Sequence, residues 1–317
     1  MTRQANFPEL MKKYSAALLL ALLLALNALI TPNFFRLNTL NNTITQICPI
    51  ILCGMGMTLV ISTAGIDISV GSMMAVSGVL TAKAMTQIGL LPALLLAVAV
   101  CMLIGCFTGF MVGKLRLQAM VITLGLQLAL RGVAQVLCDG RDIYFNKLGA
   151  VGDRLAGWGI AKLGAVPVQI VPIAVALAFT WVLVKKTVLG RRVQAVGDNN
   201  RSSMLSGIST ARTMMFVYGL SATFAAIAGV LQAARVRVAA GSSLGQLAEL
   251  DAIAAVVIGG TPMSGGKAHV LGTVIGALIM QMITLTCVMN NIPDQYAQVL
   301  KAIIIVLAVF IQRERAK

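Results

Sequence analysis

Residues 249–272 read ELDAIAAVVIGGTPMSGGKAHVLG: two acids, an apolar run, a glycine-rich bend and the start of a second apolar run. Acids and clustered glycines beside a bilayer-grade segment are costly there and point to a working site as well as anchorage. The surrounding chain is 58% hydrophobic and only 11% charged, and comparable apolar blocks recur from Leu18 to Ile311. Each crossing of about 30 Å of hydrocarbon takes about 20 such residues. The pattern is that of an all-α integral membrane protein.

Ten candidate spans emerge, at 14–31, 43–63, 68–86, 91–113, 118–138, 166–184, 213–234, 250–262, 268–289 and 295–311. The eighth is too short for a full crossing and reads as a broken or re-entrant helix. The polar segments between blocks are too short for a globular domain, so residues 1–317 form one membrane domain. The stretch Ser15–Ile30 after Lys12 and Lys13 imitates a secretion signal, but TPNFF and another apolar run follow, which favours a retained first span.

Net charge is +15. The bases punctuate the apolar spans instead of lining one face, and aromatics are only 5%, which excludes nucleic-acid binding and fits anionic lipid headgroups. With the N-terminus in the cytoplasm, fifteen bases fall inside: Arg3, Lys12, Lys13, Lys114, Arg116, Lys185, Lys186, Arg191, Arg192, Arg201, Arg212, Lys267, Arg313, Arg315 and Lys317. Eight fall outside: Arg36, Lys83, Arg141, Lys147, Arg154, Lys162, Arg235 and Arg237. The imbalance places both termini in the cytoplasm. Division after the fifth span gives an inverted 5+5 repeat, the plan of many transporters. Spans three and eight then each open on an acid, whereas the glycine clusters of spans four and nine share one side, against the inversion.

Gly105, Gly109 and Gly113 recur every fourth residue, as do Gly272 and Gly276, and such stripes let helix backbones approach closely. Asp67 in GIDISVGS, with Glu249 and Asp251, has two readings: capping a helix start, or lining or gating a polar route. Arg131 and Lys301, inside spans, need an acid, carbonyls or water as partners, or a path to the surface.

Several chemistries are excluded. GGTPMSGGKA imitates a phosphate loop, but the pattern needs glycine at Thr261 and a hydroxyl at Ala268. His269 is the only histidine, so neither a histidine zinc site nor serine–histidine catalysis can be assembled; no catalytic or metal residue is expected. Cys48, Cys53, Cys101, Cys106, Cys138 and Cys287 lie in or beside apolar stretches with no C-x-x-C pair and read as small hydrophobes. In the basic loop 187–210, Asp198 is placed to cap a short helix that Gly207 ends. Met204, Leu205 and Ile208 then form an apolar patch, which a docking surface needs and a connector does not.

The segments GMTLVISTAGIDISVGS (56–72), ITLGLQLALRGVAQ (122–135), LGRRVQAVGDNNRSSMLSGI (189–208), ELDAIAAVVIGGTPMSGG (249–266), LGTVIGALI (271–279) and QVLKAIIIVLAV (298–309) resemble the permease subunits of bacterial ribose-type ABC importers, the inner-membrane components of binding-protein-dependent transport systems. The resemblance runs in order along nearly the whole chain. It implies a subunit of the bacterial inner membrane for a pentose, hexose or furanose, paired with a second permease subunit, identical or paralogous. ATP and magnesium would be held by a separate cytoplasmic ATPase, and a periplasmic sugar-binding protein would deliver substrate. Residues 139–165 would be the periplasmic loop and 185–212 the cytoplasmic coupling loop, with Gly190, Arg191, Arg192, Gly197, Asp198, Asn199, Leu205, Gly207 and Ile208 on the ATPase. Asp67, Ser69, Gly71, Glu249 and Asp251 would line or gate the substrate path. Two departures stand out: Gly197-Asp198-Asn199 where the family commonly has Gly-Gly-Asn, and Leu247-Ala248 where Gly-Tyr precedes the Glu-Leu-Asp. The alternatives are the same architecture moving another small polar solute, such as a signalling sugar derivative or amino acid, and a stand-alone ion-coupled carrier.

Overall fold

Long runs of Leu, Ala, Met and Val with no internal polar partner for the backbone leave the helix as the way to satisfy every N–H and C=O in hydrocarbon. The computed structural model describes residues 7–312, with side chains for 16–293 and 295–307. Arg3, Arg313, Arg315 and Lys317, and the side chains of Lys12 and Lys13, lie outside those described residues. Thirteen α-helices follow in order: α1 Phe7–Ile30, α2 Leu37–Ser62, α3 Val70–Ile88, α4 Leu90–Gly113, α5 Ala119–Leu137, α6 Gly149–Ile160, α7 Ile170–Lys186, α8 Val188–Asp198, α9 Asn200–Leu205, α10 Thr210–Val236, α11 Ala248–Ile258, α12 Val270–Met289 and α13 Asp294–Gln312.

A helix occupies each of the ten apolar runs. Among the described residues five are long and apolar enough to cross a membrane, namely α2, α4, α5, α10 and α12. A sixth is the pair α7 and α8 if counted as one span bent by 73°. α11, with 11 residues, is about 16 Å long and reaches half-way at most. The remainder of that passage is irregular chain, residues 240–247, which closes with Gly245 and Leu247 at positive φ. Non-helical backbone survives at such depth only where protein encloses it or water lines it.

The centre of the bundle is α2 and α10, whose apolar windows are 78% and 67% buried, against 22% for α4 and 17% for α5. The glycine stripes explain the closest contacts. A Cβ on Gly105 would lie 2.6 Å from the Ala222 Cβ, and one on Gly113 would lie 2.8 Å from the Ala211 Cα, so α4 runs directly on the backbone of α10. Gly272 and Gly276 do the same for α12 against Gly259 and Ala255 of α11. All six cysteines are free thiols; five are buried and Cys106 is half-buried.

One end of the bundle gathers the 62–69, 187–209 and 259–269 connections. There Gly266 N–H donates to the Ser62 carbonyl (3.0 Å), and Ser62 Oγ donates to the Lys267 carbonyl (2.9 Å). The glycines of the phosphate-loop-like segment therefore serve a turn, with Gly265 at φ +85° and Gly266 at φ +79°. At the other end β1 (Ile143–Tyr144) pairs antiparallel with β4 (Val238–Ala239), between which β2 (Lys162–Leu163) and β3 (Val166–Pro167) form a hairpin in sequence. α6 packs there on the last turn of α10, with Gly159 against Ala234 and Arg235.

Candidate functional site

The singled-out acids divide between two places. Asp67, 2% exposed, lies in the α2–α3 connection. It accepts from Ser69 N (3.1 Å) and Ser69 Oγ (2.6 Å), and from Ser221 Oγ of α10 (3.1 Å). That is a turn two residues long and not a helix cap: the cap position of α3 is Ser69, without a side-chain cap bond. Glu249 and Asp251 likewise do not cap α11, whose cap position is Leu247; they occupy its first turn, where the helix dipole favours negative charge.

Glu249 points into the packing of three helices. Its Oε1 accepts from Gln127 Nε2 of α5 (3.0 Å), while the buried Oε2 has no hydrogen-bond partner and abuts Gly71 of α3. Any side chain at position 71 would collide with that carboxylate, which gives Gly71 a steric reason. Arg131, one turn beyond Gln127, donates to the carbonyls of Leu244 (2.6 Å) and Gly241 (3.4 Å). This interior cation is thus satisfied by the irregular segment that precedes α11.

Asp251 faces the other way. Its carboxylate accepts two bonds from Lys301 Nζ of α13 (2.9 and 3.1 Å), so one of the two interior cations pairs with one of the singled-out acids. The pair lines a cavity of about 160 Å³ between α2, α3, α10, α11, α12 and α13. Its polar walls are Gln46, Gln232, Arg235, Gln246, Gln281 and Thr284, and its apolar walls include Pro49, Ile50 and Met74. Gln281 Nε2 donates to Gln46 Oε1 (3.0 Å), joining α12 to α2. Pro49 breaks the local helix ladder, since it has no N–H for the Thr45 carbonyl. Arg235, counted above with the outer loop, belongs to the last turn of α10, and its Nε is buried without an acceptor.

None of the cavity amides was singled out from sequence, because single glutamines carry no motif. The available signal was isolation: Gln232 and Gln281 are each the single amide of a long apolar helix, where an unsatisfied amide is expensive.

The basic loop folds into two short helices. α8 buries Gly190, Val193, Val196 and Gly197 and exposes Arg191 and Arg192. Gly197 packs on the Ser62 carbonyl, with no room for a side chain. The cap of α9 is Asn199, whose side chain accepts from Ser202 N (2.9 Å), whereas Asp198 ends α8; the expected cap is off by one residue. The helix stops as expected: Gly207, at φ +79°, donates to the Met204 carbonyl and Ile208 to the Ser203 carbonyl, the paired bonds of a Schellman motif. Leu205 is 84% exposed, and Met204 and Ile208 are half-buried beside it. Nearby His269 occupies the cap position of α12 without a side-chain cap bond.

A bundle with five or six helical segments long and apolar enough to cross a bilayer, among the described residues, is that of a multi-pass membrane protein. The chain belongs to the family described as branched-chain amino acid transport system / permease component, whose model matches residues 39–309. It is 37% identical over 298 residues to the ribose import permease protein RbsC of Escherichia coli (strain K12), covering 93% of this chain and 92% of the relative. The galactofuranose transporter permease protein YtfT of the same strain is 38% identical over 306 residues, 93% of this chain and 88% of the relative. The Bacillus subtilis (strain 168) ribose import permease RbsC is 33% identical over 317 residues, covering 99% and 97%. No solved structure matches the chain.

Proposed function

We propose that this chain is the membrane-embedded subunit of a binding-protein-dependent ABC importer for a monosaccharide. The observation that carries this is end-to-end similarity to permeases named for ribose and galactofuranose. In this reading the chain is one transmembrane domain of ten passages in the inner membrane, the eighth made of residues 240–247 and α11. Both termini are cytoplasmic, in keeping with the loop charges. The chain performs no catalysis; ATP and magnesium are held by a cytoplasmic ATPase that docks on Arg191, Arg192 and the α9 knob around Leu205. A second permease subunit, a copy or a paralogue, completes the channel, and a periplasmic binding protein delivers the sugar. Asp67, Ser69, Gly71, Glu249 and Asp251 border the route.

The family description admits amino-acid carriers, the runner-up. A zwitterion calls for one free acid and one free base, and here Asp251 and Lys301 already engage each other.

The test is purification from the native host. An ATPase and a soluble sugar-binding protein should co-purify, and ATPase activity should belong to the complex and not to the isolated chain. Hydrolysis by the chain alone, or sugar uptake by the chain reconstituted without an ATPase, overturns the assignment. Cysteines at positions 201 and 147, in a background lacking the native thiols, test the orientation; labelling of position 201 from outside intact cells inverts it.

A further inference from the structure

The cavity between α2, α3, α10, α11, α12 and α13 has a composition that neither packing nor ion pairing accounts for. Its volume of about 160 Å³ is room for about five waters, the scale of one small sugar. One wall presents side-chain amides, which both donate and accept. Arg235, half-buried, lines the same space. Pro49, Ile50 and Met74 form an apolar wall of the kind that covers the C–H face of a sugar ring.

We propose that this cavity, inside a single protomer, is a binding station for one neutral polyhydroxylated molecule of monosaccharide size. Gln232 and Arg235 hold hydroxyl oxygens, Gln246 stands beside them on the lining, and the Asp251–Lys301 pair ties α13 to α11 as one wall. The proposal rests on the reading of the chain as a sugar permease and adds to it where within the protomer the sugar stops. Because Asp251 and Lys301 neutralise one another, the lining suits a neutral ligand better than a zwitterion.

The experiment uses the permease in complex with its ATPase in lipid nanodiscs, with the six native cysteines replaced. Gln246→Cys, on exposed irregular chain at the cavity, is labelled with a small thiol reagent in the presence of D-ribose, D-galactose or L-leucine. Gln87→Cys, exposed at the end of α3, serves as the control. Either sugar should slow labelling at 246 at least about threefold, the effect of a ligand at twice its Kd, and leave position 87 unchanged. Adding Arg235→Leu should abolish the protection while leaving the sugar-free labelling rate unchanged. The intact native chain should also melt higher in the sugar, which keeps the test open if the cysteine variant fails to assemble. Three results overturn the proposal: no protection by either sugar, equal slowing at both positions, or protection by L-leucine instead. Sugar uptake without protection at 246 sinks the cavity alone, whereas absence of both sinks the permease reading with it.

Discussion

Gly109→Ala adds one carbon where α4 runs on the backbone of α10. A Cβ built there lies 2.5 Å from the Met215 Cα and 2.6 Å from the Met214 carbonyl carbon. Carbon pairs settle at about 3.5–4.0 Å, so the helices must part by about 1 Å, and such a gap forfeits a quarter to a half of each dispersion contact it opens. Neither obstacle can rotate away, because both are backbone. Overpacking of this kind costs about 1–3 kcal/mol, which for a chain of this length lowers the melting temperature by about 2–5 °C. The controls are Gly125→Ala and Gly132→Ala on α5, where an added Cβ meets nothing within 4 Å. There the change should be neutral or stabilise by about 0.5–1 kcal/mol, since alanine is the better helix former. The assay is thermal unfolding of the purified full chain in one detergent at one scan rate, read by rank order. If Gly109→Ala melts with the α5 controls, the α4–α10 backbone contact is not what holds these helices.

Replacing Leu205 by Asp should leave the isolated chain's melting unchanged, because the side chain is 84% exposed, yet bury an unpaired charge against an ATPase. The expected loss of ATPase affinity in pull-down is at least about a hundredfold; unchanged assembly and uptake would make the loop a connector. Asn199→Ala removes the α9 cap and should cost about 1 kcal/mol, speeding exchange of the Ser202 amide about fivefold, whereas Asp198→Ala should do much less. A double-mutant cycle of Asp251→Asn and Lys301→Met on thermal stability should return a coupling of about 1–3 kcal/mol; additive losses would mean the pair does not tie α11 to α13.

The helices were legible because hydrocarbon permits few alternatives: the ten apolar runs and the helices that occupy them agree within a few residues at their ends, except at the extended starts of α1 and α2. The stripes of Gly105, Gly109 and Gly113 on α4, and of Gly272 and Gly276 on α12, announced close packing but not the partner, which depends on distant chain. The break before α11 showed as shortness, while its cause, the anchoring of residues 240–247 by Arg131, joins positions with no local signature. Capping was misread where two eligible residues adjoin: Asp198 and Asn199 both suit a cap, and only the backbone geometry at Asn199 selects it. Glu249 and Asp251 are two residues apart, and on a helix that spacing turns them to different faces, one toward Gln127 and Gly71 and the other toward Lys301. The sugar-sized cavity stayed hidden because its amides come from separate helices.

The bonds from Arg131 to the carbonyls of Gly241 and Leu244 also bear on how the polypeptide enters the bilayer. The guanidinium and its carbonyls lie 110 and 113 residues apart, so α5 is released from the translocon long before its acceptors are synthesised. At ribosomal speeds of about 5–20 residues per second, that interval lasts roughly 5–20 s. An arginine at the centre of a helix disfavours insertion by about 2.5–3.5 kcal/mol during the wait. Nascent chains truncated before residue 240 therefore carry α5 with its strongest polar partner missing, and a separately supplied C-terminal fragment restores it only by bringing residues 240–247 into the same bilayer.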